Sequence, residues 1–224
     1  MKLKPHRLKG IYTDGKRLFT RGLIKGKPFD ERVVKDGGIE YRQIDPRKSK
    51  LAASIVKNVS QIGVKPGDIV LYLGASHGYT PSFMSDIVGD DSNGFIFALD
   101  FAPRVVRDLV FVSEKRENIA PMMGDAFHPE TYFHKVMQVD YVYQDIAQKN
   151  QAEIFLKNCK LFLKKGGFCF LAVKSRSIDI AKKPKKIFNQ IRQDIESSGL
   201  LTIVDYKELD PLEKDHCVFV CKRK

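Results

Sequence analysis

The feature that most constrains the fold is an apolar run that ends in a glycine turn and leads into a helix-like segment. Residues 69–73 read Ile-Val-Leu-Tyr-Leu, and Gly74 and Gly78 enclose the turn that precedes Tyr79 and Thr80. An unbroken apolar run of this length is typical of a strand buried on both faces of a parallel sheet. The glycines that follow it indicate a strand-to-helix turn, which is where open α/β sheets bind nucleotide-like ligands.

Strand-like and helix-like segments alternate downstream of this turn. The pattern predicts further strands over 94–100, 119–125, 139–145, 168–174, 201–208 and 216–221. It predicts helices over 80–88, 103–115, 150–163 and 184–198, the third of them capped by the glycines at 166 and 167. The last two strands are joined by too short a linker for a crossover helix, so we expect them to pair antiparallel. The fold class is therefore α/β, a doubly wound and mostly parallel sheet whose last strand is antiparallel.

Residues 1–48 are predicted to form a small β-rich N-terminal unit, and residues 49–224 the doubly wound domain. Asp14-Gly15 and Asp36-Gly37 each lie between two strand-like runs, which is the pattern of a β-hairpin. Two hairpins bury little surface by themselves, so this unit must pack on the rest of the chain. A helix with one apolar face is predicted over 49–60.

The net charge of +12 is concentrated near the N-terminus. Residues 1–50 hold 15 Lys and Arg against 6 Asp and Glu, a surplus of nine positive charges, whereas the remaining 174 residues have a surplus of three. Such a distribution favours a polyanionic partner, most simply RNA or DNA. The alternative is a lysine-rich face that mainly confers solubility.

Several function classes do not fit the sequence. No apolar run approaches the length that crosses a bilayer, and the N-terminus has no signal-peptide pattern, so we predict a cytoplasmic protein. The four cysteines show no Cys-x-x-Cys spacing and are predicted to be reduced core thiols. The histidines have no metal-ligand spacing, so no metal is expected. The sequence also lacks the Gly-x-Ser-x-Gly motif of a nucleophile elbow, so a hydrolase is not expected.

Acidic residues at two strand ends favour one class of cofactor. Asp100 ends the second strand of the doubly wound domain, where a carboxylate accepts hydrogen bonds from ribose hydroxyls, and Asp125 ends the third. A dinucleotide pyrophosphate needs Gly-x-Gly-x-x-Gly, and position 76 is not glycine. This disfavours a nicotinamide-dependent dehydrogenase and favours S-adenosylmethionine.

Beyond these general features, motifs spread over nearly the whole chain resemble archaeal fibrillarin. They are the segments 40–42, 49–53, 72–80, 85–89, 101–104, 125–130, 145–148 and 215–216. The resemblance implies a class I methyltransferase fold. The implied activity is transfer of a methyl group to ribose 2′-hydroxyls of rRNA and tRNA, guided by a C/D box RNA. The implied partners are that guide RNA, a Nop-domain scaffold protein and a kink-turn-binding protein. The alternative is a catalytically silent subunit of such a particle that keeps the fold.

The resemblance also implies site residues. The implied cofactor contacts are Tyr79, Thr80, Asp100, Phe101, Asp125, Ala126, Asp145, Ile146, Ala147 and Gln148. The glycine turn itself adds Gly74 and Gly78 to the predicted cofactor site. The implied catalytic residues are Lys50, Asp145, Lys174 and His216. This chain departs from the family pattern at Ser82-Phe83-Met84 and in the loop 175–179.

The chemistry suggests roles for the four catalytic residues. A ribose 2′-hydroxyl must lose its proton around the transition state, so the site needs positioning and proton removal. We expect Lys174 to act as the base or to orient the ribose, Asp145 to hold Lys174 and contact the cofactor, and His216 to orient Lys50 or the ribose. The segment that follows Lys174, up to Arg192, is cationic. It is predicted to bind RNA phosphates through Arg176, Lys182, Lys183, Lys185 and Lys186. The alternative for this segment is a solvated helix face.

Overall fold

The N-terminal part of the chain forms a five-stranded antiparallel sheet. The computed structural model describes residues 2–224. The strands of this sheet are β1 (Lys4–Pro5), β2 (Tyr12–Thr13), β3 (Leu18–Arg21), β4 (Val33–Asp36) and β5 (Ile39–Ile44). Their order is β1-β2-β3-β5-β4. The pairs β2–β3 and β4–β5 are the two predicted hairpins, which are thereby confirmed.

A seven-stranded sheet forms the centre of the molecule. Its strands are β6 (Ile69–Leu73), β7 (Phe95–Asp100), β8 (Ile119–Met123), β9 (Val139–Gln144), β10 (Leu163–Lys174), β11 (Leu201–Glu208) and β12 (His216–Arg223). Their order is β11-β12-β10-β9-β6-β7-β8. Strand β12 runs antiparallel to both of its neighbours, whereas β6 to β10 are mutually parallel. The predicted doubly wound sheet with an antiparallel last strand is confirmed. Strands β6, β9 and β12 are buried along most of their length, as expected of strands that are covered on both faces.

Six α-helices lie between or beside these strands within residues 2–224. They are α1 (Lys50–Val56), α2 (Tyr79–Gly89), α3 (Pro103–Ser113), α4 (Gln151–Phe162), α5 (Ser175–Ile178) and α6 (Pro184–Ser197). Ser49 caps α1, since its side chain accepts a hydrogen bond from the Ala52 N–H. The helix predicted over 49–60 ends early because Asn58 adopts a left-handed conformation with φ 57°. None of the helices in residues 2–224 has both the length and the apolar character needed to cross a membrane.

The predicted glycine cap of α4 is wrong. The helix ends at Phe162, and the buried residue Leu163 already begins β10, where it pairs with Val139 of β9. The pairing of β10 with β9 is then irregular until Phe168, and the two glycines lie within that irregular stretch. A Cβ on Gly167 would approach the Asp140 carbonyl oxygen to 2.9 Å, so the glycine permits close contact between strands rather than a helix end.

The N-terminal sheet packs on α2, as its small size requires. Leu8, Ile11, Leu18 and Ile44 are buried in the same core cluster as Ile87 of α2. Hydrophobic contact therefore joins the two sheets into one core. The boundary between residues 1–48 and 49–224 stays a prediction.

Polar contacts also join the sheets, and they centre on the fully buried Asp86 of α2. Its Oδ2 accepts hydrogen bonds from Arg42 Nη1 at 2.7 Å and from the Thr20 hydroxyl at 2.8 Å. Its Oδ1 accepts from Arg116 Nη1 at 2.7 Å. The guanidinium group of Arg42 also pairs with the buried carboxylate of Glu31. Two buried arginines are thus neutralised by two buried acids, as burial of charge requires.

Candidate active site

The glycine turn after β6 brings two strand ends into direct contact. Gly74 has φ 82°, and a Cβ at this position would lie 2.2 Å from the Asp145 carbonyl oxygen at the end of β9. Gly78, with φ 87°, precedes α2, and a Cβ there would lie 3.1 Å from Leu109 of α3. Both positions need glycine, the first for a close backbone approach and both for a positive φ. The predicted strand-to-helix turn between β6 and α2, with its two glycines, is confirmed.

Beside this turn lies a cavity of about 350 Å³ at the carboxyl edge of the parallel strands. Eight of the predicted cofactor residues line it: Gly74, Asp100, Phe101, Ala126, Asp145, Ile146, Ala147 and Gln148. The sequence analysis missed five further lining residues: Ser76, Leu99, Ala102, Val105 and Gly124. Each of the five is within five residues of a predicted one. Treating each strand-end turn as a whole, rather than its acid alone, would have found most of them.

The two strand-end acids are held by backbone and side-chain donors. Asp100 accepts from the Ser76 N–H at 2.9 Å and the Ala102 N–H at 3.1 Å. Asp125 Oδ1 accepts from the Phe127 N–H at 2.9 Å and from Gln148 Nε2 at 3.3 Å. Since these carboxylates lie at adjacent strand ends, they suit the hydroxyl and amine groups of a nucleoside.

The structure places Tyr79 away from the cavity. Its ring makes edge contacts with Phe29 and Phe83, and its hydroxyl accepts a hydrogen bond from the Asp45 N–H at 3.2 Å. The cavity walls also do not include the predicted Gly78, Thr80 and Asp125. A direct contact of these four with a cofactor stays a prediction.

Phe83, the departure from the family pattern, also faces the N-terminal sheet. It is fully buried, and the Arg42 guanidinium carbon lies 4.2 Å from its ring centroid. An arginine over an aromatic face is a favourable cation–π arrangement. The change at position 83 therefore affects the packing of the N-terminal unit and does not change the cavity wall.

The four predicted catalytic residues come together at the carboxyl edge of the sheet. Lys50 begins α1, and its Nζ lies 2.9 Å from Asp145 Oδ2. Lys174 ends β10 and is the cross-strand neighbour of His216, the first residue of β12. His216 is largely buried, and its Nδ1 lies 2.7 Å from the Lys214 carbonyl oxygen. Because a carbonyl oxygen only accepts, Nδ1 must carry a proton and donate it to that oxygen, so the tautomer with a free Nε2 is the one that this contact selects.

Asp145 pairs with Lys50 and not, as we expected, with Lys174. Burial lowers the pKa of Lys50, but the charge and hydrogen bond of Asp145 outweigh it, so that the pKa lies above its ordinary value. Lys50 therefore stays protonated at neutral pH and is unsuited to accept a proton. Within residues 2–224 no carboxylate is paired with the exposed Lys174 ammonium. Its backbone is instead bound by Gln151, a residue that the sequence analysis did not identify.

The predicted RNA-binding side chains of the cationic segment after Lys174 are all exposed. Arg176 Nε bonds Asp215 at 2.9 Å, and Lys182 lies 3.7 Å from Asp179. Lys183, Lys185 and Lys186 are exposed, and the described part of the chain offers them no ion pair. Lys182 and Lys186 line a groove of about 440 Å³ between the start of α4 and α6. The groove opens beside Gln151, close to the predicted catalytic edge.

Comparison with known proteins gives one consistent result. The family model of fibrillarin matches residues 3–224. A fibrillarin-like rRNA/tRNA 2′-O-methyltransferase of Methanocaldococcus jannaschii is 47% identical over 206 residues, which cover 92% of this chain and 88% of the relative. The structure of Aeropyrum pernix fibrillarin with natively bound S-adenosyl-L-methionine superposes with a TM-score of 0.89 at 39% identity, covering 99% and 98% of the two chains. A fibrillarin/Nop5p complex gives a TM-score of 0.87 at 34% identity, covering 98% and 100%.

Proposed function

The chain belongs to the fibrillarin family, and we propose on that basis that it transfers a methyl group from S-adenosylmethionine to ribose 2′-hydroxyls of rRNA and tRNA. The observation that carries the proposal is that the cavity and the four residues predicted to be catalytic share one edge of the sheet. Asp145 belongs to both, because it lines the cavity and pairs with Lys50. A cofactor in the cavity and a ribose at Lys174 would therefore be neighbours.

The cavity residues fit S-adenosylmethionine, which the Aeropyrum relative binds. Asp100 lies at the end of β7, a position that suits a carboxylate accepting from ribose hydroxyls, and the turn 74–78 has no glycine at 76 to admit a pyrophosphate. Ile146, Ala147 and Val105 supply apolar parts of the cavity wall. When bound, the cofactor supplies an electrophilic methyl group on a sulfonium.

The residues of this chain then have to orient the ribose and remove its proton. Lys50 is held protonated by Asp145, so it provides a fixed positive charge next to the hydroxyl oxygen that develops negative charge. Lys174 serves as the proton acceptor or as the group that orients the ribose. His216, with Nδ1 bonded to the main chain, can present Nε2 to the same site.

The likeness to the fibrillarin/Nop5p complex supports a Nop-domain partner for this chain. We propose further that a C/D box guide RNA and a kink-turn-binding protein complete the particle. Base pairing with the guide would then select the target ribose.

Reconstitution tests the function directly. The chain is combined with a Nop-domain protein, a kink-turn-binding protein, one C/D guide and its matching RNA, and methylation is read at a single ribose. We expect one methyl group at the paired target position and none when the guide is mismatched. If the chain binds S-adenosylmethionine but the assembled particle methylates no ribose, the silent-subunit alternative is correct.

Charge reversal tests the cationic segment. The double change Lys182→Glu/Lys183→Glu should weaken RNA binding and make the slope of log K against log salt shallower by about 0.7–0.9 per lost phosphate contact. Binding is measured over a range of salt concentrations.

The matched control is Lys164→Glu/Lys165→Glu, an adjacent lysine pair at the start of β10. Its first member also pairs with an aspartate, Asp140, and the pair lies at the opposite edge of the sheet. Equal salt slopes for the two double variants would show that the segment after Lys174 is a solvated face.

A further inference from the structure

Gln151 binds the main chain of the predicted catalytic lysine through both the N–H and the carbonyl oxygen of that residue. Its Oε1 accepts the Lys174 N–H at 3.1 Å, and its Nε2 donates to the Lys174 carbonyl oxygen at 3.3 Å. The side chain is fully buried, although it belongs to the first residue of α4. The sequence alone gave no reason to assign it a role.

The Gln151 amide replaces a missing strand. The paired register of β10 with β9 ends at Leu171 opposite Gln144, because β9 stops there. Lys174 extends beyond that point, and only β12 flanks it, through His216. A side-chain amide has the same donor and acceptor as a peptide group, so Gln151 continues the ladder on the open side.

The same side chain connects Lys174 with the cofactor cavity. Gln151 Nε2 donates to the carbonyl oxygen of Gln148 at 2.9 Å, and Gln148 Nε2 in turn donates to Asp125 Oδ1 at 3.3 Å. Gln148 lines the cavity. The main-chain oxygen of Gln151 accepts from Gln144 Nε2 at 2.7 Å, immediately before Asp145. One residue thus ties together the ends of three neighbouring segments.

We propose that Gln151 is a positioning residue that holds Lys174 in its reactive place and links that place to the cofactor loop 145–148. The proposal rests on the proposed function, because it concerns the rate of methyl transfer. A buried hydrogen-bond network has its full effect only when every member is satisfied. A displacement of about 1 Å at a reacting group can cost about a hundredfold in rate.

Two variants test the proposal in the reconstituted particle. Gln151→Met keeps the volume and removes all three side-chain bonds. We expect its single-turnover rate at saturating cofactor and RNA to fall about tenfold to a hundredfold, with unchanged RNA affinity. Gln193→Met on the exposed face of α6 is the control and should keep the rate of the unmodified chain.

Gln151→Glu supplies a readout that a merely structural role would not give. A carboxylate can still accept the Lys174 N–H but cannot donate to the two carbonyl oxygens. Burial raises the pKa of such a carboxyl, so it regains one donor as the pH falls. The rate of this variant relative to the unmodified chain should therefore rise severalfold from pH 8.5 to pH 6.

The proposal is overturned if Gln151→Met transfers methyl groups at the unmodified rate under saturation. It is equally overturned if the relative rate of Gln151→Glu does not change with pH. Both outcomes require that the unmodified chain methylates the target. Failure of the unmodified chain would instead refute the proposed function.

Discussion

Replacing Asp86 by asparagine will lower the free energy of unfolding by about 3–5 kcal/mol, since it leaves buried charge uncompensated. The carboxylate is fully buried between Arg42 and Arg116, at 2.7 Å from each. Glu31 would then be the single acid facing two buried guanidinium groups. Two nitrogens of Arg116, Nε and Nη2, already have no hydrogen-bond partner in the described chain, so Arg116 has little else to neutralise it. Denaturant unfolding followed by circular dichroism measures the change.

Asp91→Asn is the matched control for this prediction. Asp91 also pairs with an arginine, Arg21, but its side chain is 79% exposed. Exposed ion pairs contribute little, so a loss below about 1 kcal/mol is expected. If Asp86→Asn destabilised the chain no more than Asp91→Asn does, the buried cluster would not be what holds the N-terminal sheet to α2.

The cluster also shows which feature of the N-terminal unit the sequence could not predict, namely its buried ion pairs with α2. Asp-Gly turns specify hairpins locally, and both were predicted correctly. The burial of Arg42 depends on Asp86, which lies 44 residues further along the chain. No local sequence pattern predicts an ion-pair partner so far along the chain, and an arginine in a strand is ordinarily expected at the surface.

The candidate site was more predictable because a parallel sheet orders it. Strand ends that are far apart in sequence meet at one edge, so Asp100, Asp145 and Lys174 could be placed there from periodicity alone. What periodicity does not give is which side chains pair across that edge. The pairing of Asp145 with Lys50, rather than Lys174, follows from where α1 begins and had to be read from the structure.

Because Asp145 pairs with Lys50, Lys174 is left as the lysine that can accept the ribose proton or orient the ribose, and its replacement is the second change for which we expect a large effect. Lys174→Ala should reduce the single-turnover rate of methyl transfer by about 10²–10⁴-fold, the usual contribution of a positioned acid or base. Cofactor affinity should not change, since the Lys174 side chain is exposed and is not part of the cavity wall. Titration calorimetry with S-adenosylmethionine and quench-flow methylation measure the two quantities separately. Lys165→Ala, an exposed lysine of the same strand at its other end, is the control.

Lys174→Arg separates the two roles that remain for this residue. A guanidinium keeps the positive charge but does not lose its proton in proteins, so it can orient a ribose and cannot accept the hydroxyl proton. Because Lys50 is kept charged by Asp145, it cannot take over as acceptor. If Lys174 is the base, Lys174→Arg will be as slow as Lys174→Ala. Recovery of most of the rate would assign Lys174 to orientation, and full methylation by Lys174→Ala would remove it from the mechanism.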